Sequence, residues 1–497
     1  MVAAAFGGAA CGGGGGTLPG PDAGAGVVHV TPATADVLTC STRQFTTDDT
    51  AATPGTWSVD RGTIAATGLY SSPLTVPATP EATVSYAPVS GAPAHATAHL
   101  ATAFPAAPAM IDTAFTNDGT PSEHVVSARG MRAYAVFPAS GGGVRVLRSD
   151  DGGATFTAKP TLAIGGLTCA TAAIDAGNPD VLYVVAHHAS GSETSVTLRV
   201  SEDGGATFPA TKSYTIADSV LDGLPLAICP DVVSPSPDHV VVSTAAQDNA
   251  QTMSWTALYV SADRGASFGN GVGTNSNDYY VNSDVNPGTT FQGTVLSDGG
   301  QNGPRVFADG TGHACTTYAV DSATGCTSGS CISVVVQCSS NGGASWTAPR
   351  TLAVTGTKTF PTGAISPHGD IAVSWTEIVG SDVRIKVAFS HDAGATFSAA
   401  VTHPLDLTVF GYTAAPIVQW EGGVLWLAQT TAASDNPVVV IDKTCDFGTS
   451  WSGALPITQG SDFLGEALMV TSSGVRALAR GLRDTAGFPL AAIALTP

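Results

Sequence analysis

The segment SDDGGATF, residues 149–156, returns five more times along the chain with small changes. Written generally, the pattern is Ser-x-Asp-x-Gly-x-Thr-Phe, and successive copies lie 51 to 78 residues apart. A motif that recurs at such intervals indicates one supersecondary unit used many times. The copies begin at Ser149, Ser201, Ser261, Ser339, Ser390 and Thr444, and their acidic or amide residues are Asp151, Asp203, Asp263, Asn341, Asp392 and Asp446.

The residue types of the motif predict a turn that holds itself together. A short Asp or Asn side chain accepts hydrogen bonds from backbone N–H groups ahead of it. The glycine permits a left-handed backbone, and the closing Phe or Trp is expected to bury its ring between neighbouring sheets. Each copy should therefore join two strands and anchor them to the core.

Apolar runs around the motif predict four strands per unit. An alternating strand precedes the motif, as in residues 196–200, and another apolar run lies earlier, as in residues 181–185. After the sixth copy the chain holds three further strand-like runs, so a strand from the start of the unit, Ala109–Phe115, is expected to complete the last sheet. Such closure removes exposed sheet edges.

The motif resembles the Asp box, or BNR repeat, of sialidase-like propellers. This resemblance implies an all-β fold with a β-propeller over residues 106–497. The six boxes and the three strand-like runs after them predict seven blades, and six blades, as in the sialidases, are the alternative. The resemblance also implies that the box joins the third and fourth strands of a blade, on the face opposite the ligand site. The six Asp or Asn residues are then structural.

Residues 26–105 resemble a bacterial Ig-like β-sandwich, on the runs Trp57–Val59, Gly68–Tyr70 and Ala82–Tyr86. Trp57 would be its buried aromatic residue, and a spacer is its expected role. The Gly-rich residues 1–25 resemble a lipoprotein tether with Cys11 as the lipidated residue, and a plain linker is the alternative.

Composition narrows the class of partner. The formal net charge of −20 disfavours nucleic acid and anionic membranes, so membrane contact is expected only through a lipid anchor. Nine cysteines indicate export, to the cell surface or the medium. No cofactor is expected, and calcium is the metal that carboxylate oxygens would suit.

Four of the cysteines predict two nested disulfides, Cys315–Cys338 and Cys326–Cys331, at a hairpin of the fourth unit. An inter-blade bridge between Cys169 and Cys229 is left open. Cys40 and Cys445 have no evident partner in the sequence.

The sialidase resemblance implies an Arg triad, a Tyr nucleophile backed by Glu, and a Phe-Arg-Ile-Pro-like motif in the first blade. The nearest segment, Tyr134–Pro138, has no arginine. An anion site built from arginines stays open, and the candidates are Arg129, Arg132, Arg305 and Arg384.

The longest departure from the repeat, residues 270–313, predicts a loop on the face opposite the boxes, where loops on a rigid scaffold commonly carry function. Aromatic rings beside carboxylates would suit a sugar or peptide ligand. His187 and His188 are expected to face solvent. The candidate ligand-binding residues are Asp248, Trp255, Asp278, Tyr279, Tyr280 and Asp284.

These observations favour a non-catalytic, secreted or cell-surface binding or scaffold protein that recognises carbohydrate or an extracellular protein through the face opposite the boxes. The alternative is an exo-acting glycoside hydrolase of sialidase type.

Overall fold

The structure is a computed structural model in which every regular element is a β-strand, apart from the 3-10 turn Ala210–Lys212. No helix among the described residues has the length and apolar character that crossing a bilayer requires. The chain divides into two compact units. The described residues are 27–115, 126–139, 142–165, 167–190, 193–218, 224–225, 230–247, 254–268, 279–280, 304–322, 331–355, 361–379, 381–407, 416–433, 436–458, 463–481 and 488–496.

The first unit is built from Thr42–Ser72, Glu81–His99 and the chain up to Val37. Its strands pair as a four-stranded sheet, a three-stranded sheet and a two-stranded ribbon, in the orders β2-β9-β8-β5, β3-β7-β6 and β1-β4. The strands are β1 (Val30–Thr31), β2 (Thr34–Leu38), β3 (Thr42–Gln44), β4 (Thr46–Thr47), β5 (Thr56–Val59), β6 (Thr63–Ile64), β7 (Leu69–Ser71), β8 (Glu81–Ala87) and β9 (Ala94–Ala101).

The core of this unit differs from the expectation at Trp57. Phe45 and Tyr70 are fully buried, with ring centroids 6.2 Å apart. Trp57 is only half-buried, and it packs on Tyr86 at a centroid distance of 4.9 Å. Because Trp57 lies on β5, the edge strand of its sheet, one side of its ring has no neighbouring strand to cover it.

The second unit comprises Leu38–Ser41, Pro73–Pro80 and the chain from Leu100 onward. From β10 (Ala109–Phe115) it continues as antiparallel sheets that follow one another along the chain. Sheet 1 holds β11 (Val126–Arg129), β12 (Arg132–Pro138), β13 (Val144–Ser149) and β14 (Thr157–Ala158); sheet 2 holds β15 (Leu167–Ile174), β16 (Leu182–Ser190), β17 (Glu193–Ser201) and β18 (Ser213–Asp218); sheet 3 holds β19 (Leu224–Pro225), β20 (Asp231–Val233), β21 (Val240–Gln247), β22 (Ser254–Ser261) and β23 (Tyr279–Tyr280).

The remaining sheets follow the same order. Sheet 4 holds β24 (Arg305–Ala308), β25 (Ala314–Ser322), β26 (Cys331–Ser339) and β27 (Arg350–Thr355); sheet 5 holds β28 (Thr362–Ile365), β29 (Ile371–Val379), β30 (Asp382–Ser390) and β31 (Val401–Asp406); sheet 6 holds β32 (Ile417–Glu421), β33 (Val424–Ala433), β34 (Asn436–Thr444) and β35 (Leu455–Pro456); sheet 7 holds β36 (Phe463–Thr471), β37 (Gly474–Gly481), β38 (Phe488–Ala494) and β10.

Sheet 7 is completed from both ends of the unit. β10 pairs antiparallel with β38, with Ala109 opposite Ala492 and Phe115 opposite Phe488. This is the strand pairing that the sequence predicts for Ala109–Phe115. The outer edge of the last sheet is thereby covered by the chain's own earlier strand.

The first strands of the sheets stand around a common centre. β11, β15, β20, β24, β28, β32 and β36 each contact the next, and β36 contacts β11. Side chains of neighbouring sheets pack face to face, as where Tyr134 and Val146 of sheet 1 meet Ala172 and Val184 of sheet 2. The second unit is a β-propeller, and its first strands enclose a central cavity.

Each of the six motifs connects the third and fourth strands of its sheet, and we call these connections the box turns. In the first, Asp151 Oδ1 accepts hydrogen bonds from Ser149 Oγ at 2.7 Å and Thr155 N at 2.9 Å. Oδ2 accepts one from Thr155 Oγ1, and Gly153 N donates to Ser149 Oγ. Burial raises the pKa of Asp151, but these hydrogen bonds outweigh it and lower the pKa to about 2.

The bonding pattern of the box turns recurs with one substitution. In the fourth turn Asn341 replaces Asp, and its amide Nδ2 donates to Ser345 Oγ where the carboxylates accept. Equivalent bonds are made by Asp203, Asp263, Asp392 and Asp446.

The glycine of the Ser-x-Asp-x-Gly-x-Thr-Phe motif packs on the preceding sheet in every box turn. A Cβ on Gly205 would lie 3.3 Å from Val146, and one on Gly265 would lie 2.4 Å from Leu198. Gly394 meets Cys338 in the same way. The box turns therefore occupy equivalent positions on successive sheets, because each one packs against the sheet before it.

The cysteine predictions have mixed outcomes. Cys315–Cys338 is present, linking residues directly opposite each other on β25 and β26. Cys326 lies outside the described residues, so its bridge to Cys331 stays a prediction. Cys169 is disulfide-bonded, and its expected partner Cys229 is also outside that part of the chain.

Cys40 and Cys445, whose pairing the sequence leaves open, bond to each other across a sequence separation of 405 residues. Both cysteines belong to the second unit, since that unit includes the short segment Leu38–Ser41. Cys11, the predicted lipidation residue, lies outside the described residues.

Candidate functional site

Each sheet of the propeller has two ends. The box turns and the turns between first and second strands lie at one end, which we call the box end. The opposite end, called the loop end, carries the connections between second and third strands and those between successive sheets. The resemblance drawn from the sequence implies a ligand site at the loop end.

Two charged residues are buried at the loop end of sheets 3 and 4. Asp231 and Arg305 are the first residues of β20 and β24, and they are 0% and 2% exposed. Asp231 Oδ1 accepts a hydrogen bond from Val232 N at 2.9 Å, and Oδ2 accepts one from Val306 N at 3.0 Å. The carboxylate thus joins the first strands of both sheets, directly beside Arg305.

Hydroxyl groups extend this arrangement to sheet 2. Thr171 Oγ1 donates to the carbonyl oxygen of Pro230 at 2.9 Å, and Ser243 Oγ donates to that of Pro304 at 3.2 Å. All of these polar groups are buried, where an unpaired donor or acceptor would be costly. We call Thr171, Asp231, Ser243 and Arg305 the loop-end cluster.

Sequence reasoning kept Arg305 open as an anion ligand and missed Asp231. The signal that identifies both is a Pro followed by a charged residue at the start of an apolar strand, Pro230-Asp231 and Pro304-Arg305. A charged side chain at the start of a buried strand is seldom found near the core unless it is paired with another group.

The expectation that the two histidines face solvent is wrong. His187 is fully buried, and its desolvation, followed by the proximity of His188, lowers the pKa of His187 to about 4. His188 is half-buried, with Nε2 2.9 Å from Thr197 Oγ1, and desolvation lowers its pKa as well. Both rings lie on β16, a second strand whose two faces are covered by neighbouring sheets.

The predicted ligand-binding residues are only partly described. Asp248, Asp278 and Asp284 lie outside the described residues, so their role stays a prediction. Trp255 lies on β22 opposite Ala246, near the loop end of sheet 3. Tyr279 and Tyr280 form β23, the outermost strand, where they pair with Leu258 and Ala257.

The four candidate arginines do not converge. Arg129 and Arg132 flank the first turn of sheet 1 at the box end. There Arg132 pairs with Asp150 and Asp180, each at 2.5 Å. Arg384 lies at the loop end of sheet 5 and pairs with Asp382 at 2.9 Å. Of the four, Arg305 is the one that is buried at the loop end.

No group of three or more His, Cys, Asp or Glu side chains suited to a metal ion occurs in the described ranges. The expectation about calcium is therefore untested.

No family model matches this chain, and no curated protein matches it. Among solved structures it is similar to the sialidase of Trypanosoma rangeli in complex with the inhibitor DANA, at 12% identity and a TM-score of 0.31. That match covers 53% of this chain and 54% of the sialidase, about half of its length.

Two further similarities involve other carbohydrate-cleaving enzymes. The α-L-arabinofuranosidase of Fusarium graminearum, in complex with an iminosugar inhibitor, matches at 14% identity and a TM-score of 0.37, over 65% of this chain and 92% of that one. A polysaccharide lyase of family PL25, an ulvan lyase bound to a glucuronate–rhamnose-sulfate unit, matches at 7% identity and a TM-score of 0.49, over 78% and 95%.

These similarities correct the main functional expectation from the sequence. A non-catalytic binding or scaffold role was favoured there because the sialidase signature is missing from the first blade. Among the solved structures that the chain resembles, a sialidase and an arabinofuranosidase are glycoside hydrolases. The non-catalytic interpretation is therefore withdrawn.

Proposed function

We propose that this chain is a secreted glycoside hydrolase that acts on acidic glycans, binding them at the loop end of sheets 3 and 4. The observation that carries the proposal is the buried, charged pair Asp231 and Arg305 at the head of two adjacent inner strands. Protein interiors seldom hold such charges without a function or a partner.

Arg305 supplies the recognition chemistry. A guanidinium offers donors in a planar fork that matches a carboxylate, which makes arginine suited to uronate or sialate sugars. In a poorly hydrated position that attraction is stronger than in bulk water. Because Arg305 begins a paired strand, its backbone is held on a rigid element.

Asp231 acts as a positioning residue. Its Oδ2 accepts the N–H of Val306, the residue after Arg305, so the carboxylate holds the start of β24 against β20. Trp255 lies on β22 at the same end of sheet 3 and stays the predicted aromatic residue for stacking on a sugar ring.

The finer architecture belongs to the same proposal. The seven sheets of the second unit are seven blades, the box turns are Asp boxes, and the first unit is an Ig-like spacer. The bridges Cys40–Cys445 and Cys315–Cys338 support export, because disulfides persist in oxidising compartments.

The test is release of sugar from sialylated, uronate-containing and neutral oligosaccharides by the purified full-length chain. We expect turnover of acidic substrates and a loss of kcat/KM of about 100-fold for Arg305→Ala, from removal of a charge-assisted hydrogen-bonded pair. The matched control is Arg350→Ala, on the outermost strand of the same sheet, where the residue is exposed.

Thermal unfolding of each variant separates lost binding from lost folding. The proposal is overturned if the wild-type protein cleaves no acidic glycan, or if a folded Arg305→Ala variant cleaves it at the wild-type rate. It is also overturned if Arg305→Ala lowers kcat/KM equally for neutral and for acidic oligosaccharides.

A further inference from the structure

The ring of inner strands encloses a cavity of about 210 Å³ that lies toward the box end. Its walls come from the last residues of the inner strands, among them the apolar Ile174, Phe307 and Ile365. The surface that faces the cavity is nevertheless more polar than apolar, and the polar side chains of Ser127 and Gln419 belong to it. A concave space that offers both polar groups and apolar side chains can hold a small polar molecule.

Arg129 lies across the box-end opening of this cavity. It is the last residue of β11 in sheet 1, and a Cβ added to Gly310 would lie only 2.6 Å from its Nη1. Gly310 belongs to the turn after β24 in sheet 4, three sheets further around the ring. The Arg129 guanidinium therefore reaches across the opening of the cavity and lies close to Gly310.

Among the described residues, none accepts a hydrogen bond from the Arg129 guanidinium, and none forms an ion pair with it. The other charged residue of the lining, Asp309, is turned into its own loop: its carboxylate accepts from Thr311 N at 2.7 Å and Oγ1 at 2.6 Å, and from His313 Nδ1 at 2.8 Å.

Asp309 is therefore already satisfied by its own turn. Its side chain is 2% exposed, and although burial raises its pKa, the hydrogen bonds from Thr311 and His313 outweigh burial and lower the pKa. Because the Asp309 carboxylate is already hydrogen-bonded within its own turn, the Arg129 guanidinium is the charged group at the opening that can bind a ligand.

We propose that the box-end mouth of the central channel is a second binding site, for a small organic carboxylate. Arg129 holds the carboxylate group through its guanidinium fork, and the carbon skeleton packs on the apolar wall around Phe307 and Ile365. A cavity of about 210 Å³ limits the ligand to a small molecule. This site lies at the opposite end of the channel from the loop-end cluster and does not depend on it.

The test is titration calorimetry of the full-length protein with acetate and D-glucuronate, with neutral D-glucose as the uncharged comparison. We expect both carboxylates to bind and glucose not to bind. Arg129→Ala should weaken glucuronate at least tenfold, and Arg129→Lys, which keeps the charge but not the fork, should weaken it less.

Arg350→Ala, an exposed arginine on an outer strand, is the matched control and should bind glucuronate as the wild type does. Arg305→Ala removes the carboxylate ligand proposed at the other end of the channel. Arg129→Ala is therefore also made in the Arg305→Ala background, where it should weaken the remaining glucuronate binding at least tenfold. Thermal unfolding without ligand checks the fold of each variant. The proposal is overturned if carboxylates do not bind, if glucose binds equally well, or if a folded Arg129→Ala/Arg305→Ala variant binds glucuronate as tightly as Arg305→Ala alone.

Discussion

One position in the box turns has a left-handed backbone, with a positive φ angle. Some box turns have glycine at this position, and others have a different residue. Gly152, Gly204 and Gly342 adopt φ angles of 70°, 72° and 71° there, whereas Arg264 and Ala393 adopt 61° and 56°. A Cβ in this region of the backbone is disfavoured by roughly 1 kcal/mol. These turns thus carry a small strain that their hydrogen bonds outweigh.

Ala393→Gly should therefore raise the free energy of unfolding, by about 0.5 to 1 kcal/mol, because it relieves the strain at a turn that is otherwise intact. Gly394→Ala next to it should destabilise, since its Cβ would lie 2.4 Å from Cys338 Sγ. Urea unfolding measures both. A destabilised Ala393→Gly would contradict the strain argument.

Lys443 carries a buried amine that predicts a pH dependence. It is 1% exposed, with Nζ 4.6 Å from the centre of the Trp426 ring. Desolvation lowers its pKa to about 7, partly opposed by Glu421 and Asp442. Between pH 7 and the ordinary value of 10.5 the unfolded chain binds more protons, so stability rises with pH across that window.

Lys443→Met should therefore stabilise the protein at pH 6, on the order of 3 kcal/mol, with the gain shrinking toward pH 10. The matched control is Lys159→Met, whose side chain is only half-buried. Urea unfolding of the three proteins at several pH values is the measurement. A difference between Lys443→Met and wild type that stays constant with pH would contradict the buried-amine account.

At the element scale, a buried His–Asp contact joins sheets 5 and 6. His403 on β31 and Asp442 on β34 have fully buried side chains, with Nε2 3.2 Å from Oδ2. His403 Nδ1 accepts the N–H of Leu405, which leaves the proton on Nε2, facing the carboxylate. The ring of Trp451, from the sixth box turn, packs edge-on against His403 at 4.3 Å.

His403→Leu should lower the free energy of unfolding by about 1 to 3 kcal/mol, because it removes the polar neighbour of a buried carboxylate oxygen. His368→Leu, on an exposed turn of sheet 5, is the control and should change little. Urea unfolding distinguishes them. A loss below about 1 kcal/mol for His403→Leu would show that this contact does not stabilise the interface.

The strands and the closing pair β10–β38 were predictable from sequence, because periodic apolar runs and a repeated turn motif are local signals. The contacts His403–Asp442 and Cys40–Cys445 were not predictable. Each joins segments that come together only when sheets pack, and nothing in the neighbouring sequence marks one residue as the partner of the other. The burial of His187 was missed for the same reason.

At the scale of the whole molecule, the two ends of the propeller differ in chemistry. The box end is tied by ion pairs between sheets, such as Arg132 with Asp180 and Arg264 with Glu202. The loop end instead buries Asp231 and Arg305 within the strands. The sequence placed the candidate site at the loop end through a family resemblance, but only packing shows which charged residues are buried there.

The central claim is that acidic glycans bind at the loop end of sheets 3 and 4. A crystal structure of the full chain with an acidic oligosaccharide tests it most directly. We predict a sugar carboxylate at about 3 Å from the Arg305 guanidinium, with the glycan lying over the starts of β20 and β24. A glycan bound at the box end or on the first unit, with Arg305 untouched, would contradict the account.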